Sequence, residues 1–73
     1  MATTNYAKAD AILSDLTKEH TQSPGFRGGS VECDRSLGTY YVRLRWEAGY
    51  KHTIPKKIDR VEIEVLAIAP RNI

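Results

Sequence analysis

One stretch limits what this chain can become. Thr39–Trp46, Thr-Tyr-Tyr-Val-Arg-Leu-Arg-Trp, alternates strictly, with Tyr40, Val42, Leu44 and Trp46 on one face and Tyr41, Arg43 and Arg45 on the other. β-Branched and aromatic residues at period two make a half-buried strand. Such a strand needs a cover for its apolar face, and in 73 residues the cover must come from close by. A domain this small buries only about 60% of the surface its unfolded chain exposes, so association is one way for it to gain stability.

The cover is upstream. Tyr6, Ala9, Leu13 and Leu16 recur at steps of three and four, and Ile12 widens the stripe. The spacing predicts one helix over about Thr4–His20, with Thr3, Thr4 or Asn5 able to cap its start. Pro24-Gly25 and Gly28-Gly29 then read as a turn-rich loop with Phe26 plugging the end of the core. Ser30–Asp34 reads as a short strand with Val31 and Cys33 inward. Arg35-Ser36-Leu37-Gly38 suits the loop of a hairpin running from Ser30 to Trp46.

Glu47–Arg60 is irregular, and Pro55–Ile58 has the makings of a single helical turn. Val61–Ala69 is the third strand, alternating until Val65, apolar on both faces after it, and stopped by Pro70. Outward charges suggest its place. Glu32 and Asp34 lie on the first strand, Arg43 and Arg45 on the second, Glu62 and Glu64 on the third. A central second strand sets arginines between two acidic rows, at about 0.2–1 kcal/mol per opposite pair. The expectation is a single α+β domain over 1–73, one helix on a three-stranded sheet of order 1-2-3. The direction of the third strand relative to the second stays open.

The segment Ile54-Pro55-Lys56-Lys57-Ile58-Asp59-Arg60-Val61-Glu62-Ile63-Glu64-Val65 resembles Ile-Pro-x-x-Ile-Asp-Gly-Val-x-Val-x-Val. That pattern closes a number of small bacterial α+β domains of unassigned function, which also begin with a helix and a hairpin. The resemblance implies a bacterial α+β domain and carries no catalytic role. Arg60 stands where the pattern has Gly, so the turn before the strand departs from it.

Composition rules out some classes of function. The chain is 41% hydrophobic and 27% charged, with a formal net charge of +2, too apolar for a disordered tail and too neutral for general attraction to polyanions. One cysteine, Cys33, suits a reducing compartment. With no leader-like start and no long apolar run, the expectation is a cytoplasmic protein with no membrane contact.

Chemistry-bearing residues are sparse. Cys33, His20 and His52 lack metal-ligand spacing, so no metal or cofactor is expected. Cys33 with His52 is the one Cys/His pair that could form a hydrolase-like site, without an evident orienting group. Gly25-Phe26-Arg27-Gly28-Gly29 precedes a strand rather than a helix, which disfavours phosphate binding. Residues 43–60 carry Arg43, Arg45, Lys51, Lys56, Lys57 and Arg60 against Glu47 and Asp59, interleaved with the aromatics Tyr41, Trp46 and Tyr50. This is a candidate surface for an anionic partner, nucleic acid included. Leu66 and Ile68 face away from Ile63, Val65 and Ala67, and one helix covers only one sheet face. They mark a candidate interface with a protein partner or another copy of the chain. The leading expectation is therefore a non-catalytic interaction module that self-associates through its C-terminal strand. A nucleic-acid binder and the Cys33/His52 site are the alternatives.

Overall fold

The computed structural model describes residues 5–69. Helix α1 (Tyr6–His20) precedes strands β1 (Phe26–Asp34), β2 (Thr39–Glu47), β3 (Lys57–Ile58) and β4 (Val61–Ile68). The three long strands lie in the expected order, and the sheet has a fourth, reading β1-β2-β4-β3. β1 and β2 are antiparallel, β2 and β4 parallel, β4 and β3 antiparallel. The expected helical turn at Pro55–Ile58 is replaced by β3, because Lys57 and Ile58 pair with Glu62 and Val61 across a tight hairpin. β3 therefore shields the start of β4.

The inner face follows the alternation of β2. Val42, Leu44 and Trp46 are buried beneath Ala9, Ile12 and Leu16 of α1, with Val61 and Ile63 of β4 completing the core. Burying each large aliphatic side chain contributes roughly 1.5–3 kcal/mol. Residues 48–60 cross from β2 to β4 on the helix side. The His52 ring lies 5.2 Å from Trp46, Ile54 and Ile58 pack on the core, and Lys8 of α1 meets Asp59 at 3.6 Å. Of the helix stripe, Tyr6 remains half exposed, its ring edge-to-face with Tyr40 at 5.1 Å.

Asn5 occupies the cap position, but its side chain makes no capping bond. Its amide instead donates to Tyr40 O at 2.8 Å and accepts from Tyr40 N–H at 2.7 Å. The helix start is thereby tied to the sheet. Thr3 and Thr4 lie outside the described residues.

β1 begins earlier than Ser30. The Gly28-Gly29 pair sits within the strand, where the register shifts between Phe26 and Gly29 and Gly28 takes φ +82°. That is a bulge, which Gly permits and which reads in sequence as a loop. Cys33 lies opposite Tyr40, on the inner-facing side as expected, but it is exposed rather than buried. In the hairpin loop Asp34 Oδ1 accepts from Ser36 and Leu37 N–H, at 3.0 and 3.3 Å.

The β3–β4 turn is strained. Asp59 and Arg60 both have positive φ, 46° and 69°, the conformation of a two-residue hairpin turn that favours Asn-Gly or Asp-Gly. A non-glycine residue held there costs roughly 1–2 kcal/mol, and Gly's greater freedom in the unfolded chain offsets part of any relief. Arg60→Gly should raise stability by about 0.5–1 kcal/mol, seen as a higher urea midpoint at an unchanged slope. A lower midpoint would mean that Arg60 makes a compensating contact.

Candidate functional site

The charged outer face of the sheet is only partly the ladder expected from sequence. Arg43 lies between Ser30 and Glu64 and bonds the Glu64 carboxylate through Nε while its Nη2 donates to Tyr41 Oη at 2.9 Å. The hydrogen bond that Arg43 donates to Glu64, aided by the carboxylate's charge, raises the Arg43 pKa above the ordinary arginine value. Arg45 is not held between acids. Its neighbour on β4 is Leu66. Farther along, buried Glu47 pairs with Arg27, a contact that the expected loop at Arg27 concealed.

Leu66 and Ile68 lie on this outer face, opposite Arg45 and Glu47. Leu66 is 42% exposed, one of the few large apolar side chains so open to solvent among the described residues. Ile68 is half-buried.

Backbone parity shows what surrounds them. Ala48 N–H donates to Ile68 O, while Ile63 N–H donates to Lys56 O on the other side. Peptide groups alternate in direction along a strand, so even-numbered residues of β4 bond toward β2 and odd-numbered ones point away. Past Ile63 no strand lies along that far side among the described residues. Val65 and Ala67 thus present N–H and C=O groups to an open edge, beside an apolar run, Val65-Leu66-Ala67-Ile68-Ala69. The other sheet edge, β1, is blunted by its glycine bulge and by Arg27, Glu32 and Asp34, devices that discourage edge pairing. β4 has none of these past Glu64. Sequence alternation pointed to Leu66 and Ile68 but could not reveal Val65, Ala67 and Ala69 as the open rungs, because parity depends on the pairing register.

The basic residues of 43–60 do not gather into one patch. Lys51 borders a cleft with Trp46 and Tyr50, Lys56 a second, and Lys57 and Arg60 a third. Glu62 and Glu64 stand on the same outer face as Arg43 and Arg45.

Cys33 and His52 do line one cleft, of about 740 Å³, together with Tyr41, Ile54, Glu62 and Glu64. No hydrogen bond joins the two. His52 Nδ1 is the acceptor for Ile54 N–H at 3.4 Å, and its ring rests against Trp46. His20 also contacts the indole, at 5.5 Å, and Ser23 Oγ at 3.2 Å. Among the described residues no three His, Cys, Asp or Glu side chains gather as metal ligands, and no helix is long and apolar enough to cross a membrane.

No protein-family model, curated protein or solved structure matches this chain.

Proposed function

We propose that the protein is a non-catalytic interaction module that joins copies of itself through the C-terminal half of β4. The observation that carries this reading is Leu66. It stands exposed on an uncharged strand end whose outer edge has open hydrogen-bonding groups. Unprotected apolar edges pair with other chains, and the commonest symmetric solution is a two-fold dimer.

Leu66→Lys and Ile68→Lys test it. Leu66 already faces solvent, so lysine there should change stability by no more than about 0.5 kcal/mol. Desolvating its charge in an interface should reduce the assembly to a folded monomer in sedimentation velocity. If the parent chain is an oligomer and Leu66→Lys keeps the parent's mass, the working surface lies elsewhere.

A further inference from the structure

The open edge also constrains how two copies would meet, an inference that rests on the self-association just proposed. We infer that the second copy pairs antiparallel along β4, with the two-fold axis through Ala67. The open rungs are Val65 and Ala67, and Ala69 extends the series, since the residue before proline is held in the extended region. An axis through Ala67 sets Val65 opposite Ala69, Ala67 opposite Ala67, and Ala69 opposite Val65. Each hydrogen-bonded pair exchanges two N–H···O bonds, so about six form across the axis.

β3 selects among the registers. Lys56 O already takes Ile63 N–H, and Lys57 and Ile58 fill the lane beside Glu62 and Val61. An axis through Val65 would run the second copy's Ala67 into Lys56, and one through Leu66 would drive Ala69 and Pro70 there. An axis through Ala67 keeps the described part of the second copy, which ends with Ala69 opposite Val65, clear of the lane that β3 fills.

Side chains agree with this register. On the outer face Leu66 of each copy meets Ile68 of the other, twice, while the inner face brings together only valine and alanine. The paired rungs, Val65 to Ala69, carry no charge, so no like charges oppose each other along them. The result is one sheet running through both copies, with its apolar seam covering the two exposed Leu66 side chains.

The register is read by disulfide trapping in a Cys33→Ser background. Leu66 and Ile68 of opposite copies form a non-hydrogen-bonded pair, Cα atoms about 4.5 Å apart, within disulfide reach. The two Leu66 residues are diagonal, about 7–8 Å apart, beyond the usual range. Mixing L66C with I68C chains and oxidising should therefore give mixed disulfide dimers several-fold faster than either variant alone. Concentration-dependent amide exchange on the parent chain supplies a second reading, with slowing expected at Val65, Ala67 and Ala69. If L66C alone cross-links as fast as the mixture, or if association leaves those three amides unprotected, the register is wrong while self-association stands. A chain that stays monomeric at every concentration overturns both and leaves this edge for a strand of another protein.

Discussion

Replacing Trp46 with alanine should unfold this protein. The indole is 3% exposed and sits where four segments meet. It contacts Phe26 of β1 at 5.4 Å, His20 of α1 at 5.5 Å and His52 of the crossover at 5.2 Å. Its Nε1–H also donates to Pro24 O at 3.1 Å. Truncating a buried tryptophan costs about 3–5 kcal/mol. Domain stability is on the order of 0.05–0.15 kcal/mol per residue, so for a 73-residue chain the loss takes most of the total. Trp46→Phe keeps an aromatic surface but leaves Pro24 O without its donor, at about 1–3 kcal/mol. Far-UV circular dichroism in urea should show the alanine variant largely unfolded without denaturant and the phenylalanine variant folded with a lowered midpoint. An alanine variant that keeps the parent's midpoint would mean that Trp46 does not join these segments.

The second large effect is expected at Gly29. A Cβ there would stand 2.6 Å from Arg43 O, 2.8 Å from a Leu44 methyl and 2.9 Å from a Leu13 methyl. The leucine methyls can shift, but the carbonyl belongs to the neighbouring strand and cannot retreat without disturbing the sheet. Overpacking of this kind costs about 1–3 kcal/mol, and three close contacts place Gly29→Ala at the upper end. Gly28 provides the control. Nothing lies within 4 Å of its hypothetical Cβ, but its φ of +82° costs an alanine about 1–2 kcal/mol. Gly29→Ala should therefore lower the thermal midpoint more than Gly28→Ala. The reverse ranking would mean that β1 and α1 are packed less tightly over Gly29.

How much of this was legible beforehand follows from what each segment's pattern contains. Thr39–Trp46 and the helix stripe were readable because each repeats one period over several residues. The order of the long strands was readable from charge, although the reason was only half right. Arg43 meets Glu64, but the β2–β4 register sets Arg45 beside Leu66 instead of an acid. The first half of β1 was hidden because Gly28-Gly29 looks like a loop until a neighbouring strand is present to make it a bulge. β3 was hidden because two residues carry no periodicity, and Ile54 and Ile58 four apart imitate a helix. The exposure of Cys33 had no sequence signal, since its position in the alternation says which side it points to and nothing about what covers that side. At the candidate interface the side chains were legible and the backbone was not. Leu66 and Ile68 follow from alternation, whereas the open rungs at Val65 and Ala67 follow only from knowing that Lys56 closes Ile63.

The central claim, that the β4 edge joins copies of this chain, is tested most directly by solution mass from light scattering over a concentration series at low and moderate salt. The seam consists of backbone hydrogen bonds and aliphatic side chains, and screening by salt acts on charges. The expected result is a mass that rises from one chain to two with concentration and is the same at both salt levels. A mass that stays at one chain throughout, or a dimer that dissociates as salt is added, would contradict it.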